Sequence, residues 1–413
     1  MQSRIPFTHL WSACLGNLFE HYDTALYGFL SPFLAPLFFP NKDPITALIL
    51  TYAIIPLGML ARPFGALVFG KIGDIYGRQH ALFLSLSGMA LISLGIAICP
   101  TYAQAGILAP LLLCLSKILQ NFLAAGEIMG GAIFLLENSP KKKHDLLSSL
   151  YNASTIGGIL LASAAVFCLS YFHKVEEGWR LLYLFGSITA LFGCFVRKKL
   201  PQDTTIREPS FLLTNIAQTL WRMRAPLCMI ALTSGFSYAT YSMSLILMNG
   251  FVPLVSSLTK ESMLALNSLL LVLDFATLPL FGWLASKMQR QKLMLYSSLM
   301  VVITALPLSM FLSGAHLLTV ILVRLCFVLF GVAFFAPFHA WAQDLIPKTH
   351  RYLIISFGYS LGSQLLGGPT AAISLWIFKK TGIVSSISWY WAMLGLASTL
   401  VIAFTTAKKR QPA

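Results

Sequence analysis

Glu137-Asn-Ser-Pro140-Lys141 closes an apolar run that carries Lys117, and Asp344-Leu-Ile-Pro347-Lys348 closes another that carries Arg324. Base, acid, proline and lysine recur in the same order, each at an offset of 207 residues. A second stretch extends the match, at a slightly larger offset. Gly70-Lys-Ile-Gly-Asp74-Ile-Tyr-Gly-Arg78 has a worn counterpart in Gly282-Trp-Leu-Ala-Ser286-Lys-Met-Gln-Arg290. A single match of this kind falls within chance, but a set that maps one half of the chain onto the other describes a duplication.

Composition says what was duplicated. Of 413 residues, 57% are hydrophobic and 10% charged, against about 25% charged in an ordinary soluble domain. Apolar segments lie near 9–37, 46–70, 81–99, 104–137, 147–171 and 179–196. They recur near 225–250, 262–286, 293–313, 315–346, 351–378 and 384–406. Each is long enough for the roughly 20 residues that a membrane-spanning helix needs, and none alternates as the strands of an outer-membrane barrel would. The expected fold is an all-α integral membrane protein, with twelve transmembrane helices in two parallel six-helix repeats. The bundles are expected at 1–197 and 225–413. The polar stretch 198–224 links them, with Phe211, Leu212, Ile216, Leu220 and Trp221 spaced for a short helix on the membrane surface.

The net charge of +15 would raise the question of nucleic acid in a soluble chain. Here about 20 of the 29 basic residues fall in alternate loops on one side, so topology explains the excess and no nucleic-acid partner is expected. That bias puts both termini in the cytoplasm of a multi-pass protein, expected in a bacterial inner membrane. The seven cysteines are scattered without a C-x-x-C pair, so no metal site or disulfide framework is expected. No nucleotide motif appears, so no cofactor is expected and drive by ATP would need a partner. No obligate protein partner is evident.

Ionisable residues well inside spans are functional candidates by default, because insertion costs about 2.5–3.5 kcal/mol each. They are Glu20, His21, Asp23, Lys117, Glu127, Asp274, Arg324 and His339. Glu20, Asp23 and Tyr27 share one helix face, and Lys117, Gln120, Ala124 and Glu127 share another. Glu20, Asp23 and Glu127 are expected to couple protonation to occupancy. Lys117 and Arg324, at equivalent positions of the repeat, are expected to face each other and hold a carboxylate. Gln120 joins them, while Tyr27, Tyr241 and Trp341 offer aromatic faces to a quaternary ammonium. The two histidines suit structural bonds better than titration, and Asp274 has no assigned role.

Gly70 to Arg78 fits the pattern G-x-x-x-D-x-x-G-R and resembles the inter-helix signature of the major facilitator superfamily. The resemblance narrows with Gly16-Asn-Leu-Phe-Glu20-His-Tyr-Asp23, Arg62-Pro-Phe-Gly65, Lys117-x-x-Gln120, Gly126-Glu127 and Gly178-Trp-Arg180, which are similar to the metabolite:proton symporter family. Members of that family take up proline and glycine betaine, 2-oxoglutarate, citrate or shikimate. The proline/betaine permeases, which also have lysine at position 117, are the most similar branch. Asn121 and Ala125 depart from the glycines usual there, and His21 from tryptophan.

The resemblance implies proton-coupled uptake of a small zwitterionic or carboxylate-bearing solute by alternating access. A dicarboxylate or citrate symporter, or a proton-driven exporter, is the alternative on the same fold. Gly70, Asp74, Gly77, Arg78, Glu137 and Asp344 are expected gate residues. The expected partners are solute, proton and lipid bilayer. An integral membrane acyltransferase, suggested by His339 beside Trp341 and by the buried acids, is disfavoured because an enzyme has no evident need of two equivalent halves.

Overall fold

A computed structural model of the chain describes residues 7–40, 44–172, 174–198 and 216–408. Regular structure among these residues is helical throughout. Ten helices are long and apolar enough to cross a membrane, from Ile54–Ile75 to Val384–Ala407. Two further long helical stretches are more polar. Phe7–Phe38 carries Asn17, Glu20, His21 and Asp23, and Arg351–Leu361 continues through Gly362–Gly367 into Thr370–Thr381. Of the connector between the repeats, a helix over Ile216–Arg222 is described, whereas Phe211 and Leu212 lie outside the described residues.

The helices wear their apolar residues outward. On Leu108–Glu137, Leu108, Leu111, Leu112, Leu115 and Leu119 are exposed, while Lys117, Gln120, Ala124 and Glu127 are buried. The helical period therefore separates a lipid-facing leucine stripe from an inward polar one. Inside the first repeat, Leu26, Leu30 and Leu34 follow one another at one-turn spacing on Phe7–Phe38 and pack with Tyr22, Phe38, Trp179 and Tyr183.

The chain forms two compact units. Unit 1 comprises 1–138, 154–216 and 348–357; unit 2 comprises 139–153, 217–347 and 358–413. Each unit thus contains most of one repeat together with a short segment encoded in the other. The two segments, 139–153 and 348–357, begin just after the repeated acids Glu137 and Asp344.

Helices break where the sequence forces them to. Pro337 separates Leu317–Phe335 from Phe338–Leu345, since its ring cannot donate a backbone bond. A π-turn at Ser242–Leu247 widens the helix that follows Tyr241. The reversal between Ile75 and Arg78 uses Gly77 at φ 94°, and its counterpart uses Gln289 at φ 73°, the sole non-glycine positive φ among the described residues. The second repeat has therefore lost the glycine but kept the turn that needs one. A left-handed side chain costs about 1–2 kcal/mol. Gln289→Gly should accordingly stabilise the protein by about 1 kcal/mol, read as a higher thermal midpoint in detergent, and an unchanged or lower midpoint would show that the Gln289 side chain offsets its backbone.

Candidate functional site

The polar centre of unit 1 joins side chains from four helices, Phe7–Phe38, Arg78–Ala97, Leu108–Glu137 and Val175–Lys198. Asp23 lies on Phe7–Phe38 and its Oδ2 accepts from Gln120 Nε2 at 2.7 Å and from the Ser93 hydroxyl. Gln120 in turn accepts from the Lys117 ammonium through Oε1. Three residues apart on one helix, Lys117 and Gln120 meet as helical spacing requires, so the glutamine relays the lysine charge to the carboxylate. The ammonium also rests over the rings of Tyr27 and Tyr183, at 4.9 and 5.9 Å from their centroids. Tyr27 is itself fixed by donating to Thr51 O at 2.9 Å.

Two features leave this relay chemically open. Asp23 Oδ1 is buried without a partner among the described residues. Lys117 has three N–H donors and places one on Gln120.

Of the other expected coupling residues, Glu20 is buried, accepts from Thr24 at 3.0 Å and lies 2.5 Å from His21 Nδ1. Glu127 is also buried, ten residues beyond Lys117, or about 15 Å along the helix. Arg62, which sequence reading used only as a family marker, donates from Nε to Asn121 at 2.8 Å. Its charge acts on both Lys117 and Glu20, which makes it a second cation at this centre. The signal for it was present: Asn121, where a glycine is usual, supplies the carbonyl that orients it.

Arg324 sits differently in unit 2. It is fully buried, and its guanidinium donates to Ser244 O at 3.2 and 3.1 Å, Asn267 Oδ1 at 2.7 Å and Met263 O at 3.4 Å. Ser244 lies within the π-turn, whose widened register leaves carbonyls to be satisfied elsewhere. Arg324 is committed to that repair, and neither Tyr241 nor Trp341 is among its partners. Tyr241 lies by Tyr238, with ring centroids 6.0 Å apart and the rings tilted by 52°. Trp341 is buried beside Phe338, and its indole N–H has no partner among the described residues.

All of the expected gate residues except Asp344 lie in one clasp inside unit 1. Asp74 accepts from the backbone N–H groups of Tyr352 and Leu353 at 3.1 and 3.0 Å and from Arg78 at 2.5 Å. A carboxylate at a helix N-terminus is favoured by both the orphan amides and the helix dipole. Arg78 also bonds Glu137 at 3.1 Å and Lys348 O at 2.9 Å, and Arg351 bonds Glu137 at 2.7 Å. Gly70 lets Leu353 approach, and a Cβ at Gly73 or Gly130 would overlap the Tyr352 ring. The glycines thus cut a slot for Tyr352, whose hydroxyl donates to Gly126 O.

Unit 2 has the corresponding clasp with its charges rearranged. Arg290 pairs with Asp145 at 2.8 Å and Asp344 at 3.3 Å and donates to Ala340 O at 2.9 Å. Ser286 stands where the first repeat has Asp74, and the acid is instead supplied by Asp145, on the incoming segment. Ser148 and Asn152 of that segment donate to Ala336 O and Phe335 O at 2.7 and 2.8 Å, and Asn152 Oδ1 meets His339 Nε2 at 2.7 Å. His339 therefore has a structural place. Asp145, Arg351 and Tyr352 escaped sequence reading because they gain meaning only once the segments are seen to change units.

Comparison with known proteins bears on the fold. Residues 10–204 match the family described as sugar (and other) transporter. A candidate proline/betaine transporter of Staphylococcus aureus strain MSSA476 is 27% identical over 94% of this chain and 86% of its own length. A citrate-proton symporter of Klebsiella pneumoniae is 29% identical over 96% and 92%. Among solved structures, the major facilitator proton:xylose symporter XylE superposes with a TM-score of 0.73 at 17% identity, covering 98% of this chain and 96% of that one. That likeness establishes the fold.

Two substitutions weigh the parts of the unit 1 clasp. Tyr352→Phe keeps the ring and removes the bond to Gly126, for an expected loss of roughly 1 kcal/mol. Tyr352→Ala also empties the slot and should cost about 3 kcal/mol or more. Thermal midpoints in detergent should fall in that order, and equal midpoints for Tyr352→Ala and wild type would dismiss the slot as a stabilising contact.

Proposed function

We propose that the chain is a transporter of the major facilitator kind, a proton-coupled importer of a small zwitterion of the proline or betaine type, working by alternating access. One observation carries the reading: Lys117 reaches its counter-charge, Asp23, only through Gln120. A proton on Asp23 Oδ1 removes the charge that Lys117 answers to. The lysine is then left to a substrate carboxylate, held by charge-assisted bonds. Proton and carboxylate therefore favour each other's binding, which is the sign required for symport. A cationic substrate would instead compete with the proton for Asp23, as an exchanger requires.

The Tyr27 and Tyr183 faces already hold an ammonium in this centre, which supports a ligand with a quaternary or secondary ammonium at its other end. The name of the staphylococcal relative points the same way. The two clasps are read as the elements that open in turn, with Gly70, Asp74, Gly77, Arg78 and Glu137 in one and Asp344 in the other. We place the protein in a bacterial inner membrane with both termini cytoplasmic, needing no cofactor and no obligate protein partner.

Citrate-type transport is the second reading, and Arg62 favours it. A polycarboxylate needs more than one cation; Lys117 and Arg62 supply two at the same centre, whereas Arg324 is committed to the π-turn. In this reading the part expected of Arg324 as a carboxylate ligand passes to Arg62.

Binding of glycine betaine, choline and citrate to purified protein at acid and alkaline pH separates these readings. Betaine should bind more tightly at acid pH, choline weakly, and Lys117→Gln should weaken betaine by roughly tenfold to a hundredfold, the worth of one charge-assisted bond. If Arg62→Gln abolishes citrate binding while betaine never binds, the polycarboxylate reading replaces the zwitterion. In proteoliposomes, Asp23→Asn should retain counterflow exchange and lose accumulation driven by a pH gradient. Full accumulation by that variant would remove Asp23 from the coupling path.

A further inference from the structure

Asp274 is an acid to which the arrangement above gives no part. It lies in the middle of Lys260–Met288, which spans the membrane by length and composition, and it is 8% exposed. No hydrogen bond or ion pair reaches its carboxyl group among the described residues, and no charged neighbour acts on it. Met263, Asn267 and Asp274 fall within about 40° of one another on the helix, so Asp274 shares the inward face that meets Arg324. Leu269 and Val272 are exposed on the other side.

The groups on the elements packed against this helix leave the carboxyl group alone. On Leu317–Phe335 they are Arg324, spent on Ser244, Met263 and Asn267 seven or more residues away, and Cys326. On Arg290–Met310 they are Arg290, held by Asp145 and Asp344, together with Lys292 and the exposed Tyr296. Ser242–Leu247 and Met248–Val255 carry none, and His144–Tyr171, with His144, Asp145 and Tyr151, meets this helix through Asp145 and Ser149 at Gly282, eight residues from Asp274. Tyr241, at the start of the π-turn, is the group whose charge couples to Asp274, and at neutral pH a phenol is uncharged.

We propose that Asp274 is a second proton-binding site, carried by unit 2 and separate from the Asp23 relay of unit 1. An ionised carboxylate with no counter-charge is expensive in a span, and nothing here offsets that cost except a proton taken from water and returned to it. Each unit then owns one exchangeable proton. In unit 1 the proton competes with Lys117; in unit 2 it meets no cation and answers only to hydration of the site. Coupled to the proposed transport cycle, on which this part rests, the second site raises the number of protons moved per solute.

The test separates the site from the transport reading. Infrared difference spectra between acid and alkaline pH, recorded on purified protein without any solute, should show a protonated-carboxyl C=O band that is absent in Asp274→Asn and present in Asp23→Asn. Asp274→Glu should restore a band at a shifted frequency, which guards against a merely misfolded variant. Spectra of wild type and Asp274→Asn that superpose in the carboxyl region would overturn the proposal, whatever the protein transports. In proteoliposomes, the proton-to-solute ratio from reversal potentials should fall by one in Asp274→Asn. An unchanged ratio would overturn the coupled part alone, and wild-type protein that responds to no pH gradient would fault the transport reading while the spectra still decide the site.

Discussion

Hydrocarbon offers a broken helix no water, so every freed backbone group must find a partner inside the protein. This constraint explains why buried polar side chains stand where they do. Pro337 interrupts a helix, and Ser148 and Asn152 cover the carbonyls of Ala336 and Phe335. The π-turn exposes Ser244 O, and Arg324 covers it with two bonds. The helix beginning at Arg351 presents orphan amides, and Asp74 accepts from them. In each case a residue with a charge or an amide, which invites a functional reading, is holding an irregular backbone together.

Lys117 and Asp23 stand apart from that group. Their bonds run to each other through Gln120 and leave donors and an acceptor over, although both residues are nearly fully buried. Buried polar groups are almost always satisfied, so incomplete satisfaction at the centre of a bundle marks a place prepared for something that comes and goes. The contrast with Arg324 is instructive, because the two cations occupy equivalent positions of the repeat. Duplication supplied both with a charge, and the π-turn in the second copy claimed one of them.

Much of the fold could be read from the chain because its signals are periodic and long-range. Apolar runs of span length, the bias of basic residues and the offset of 207 residues all survive local substitution. The polar centre was partly readable: helical spacing placed Asp23 with Tyr27 and Lys117 with Gln120, but it could not show that Gln120 turns between the two charges. The clasps were readable on one side only. Asp74, Arg78 and Glu137 announce themselves in motifs, whereas Tyr352 and Asp145 depend on tertiary partners more than a hundred positions away. Ser286 hid the second clasp because its acid had moved to the other partner, a change that conserves the ion pair and erases the pattern.

The exchange of segments also bears on how such a chain is made. Unit 1 includes residues 348–357, so when a ribosome has released the whole first repeat, the amide donors that Asp74 accepts and the ring that fills the slot beside Gly73 do not yet exist. The nascent bundle must wait, with Asp74 and Arg78 paired only to each other and to Glu137, until about 150 more residues have been added and inserted. Domains usually fold as they emerge, amino-terminal first. Here the last part of the first unit arrives almost last in synthesis, so a chain truncated anywhere before residue 348 leaves both units unfinished.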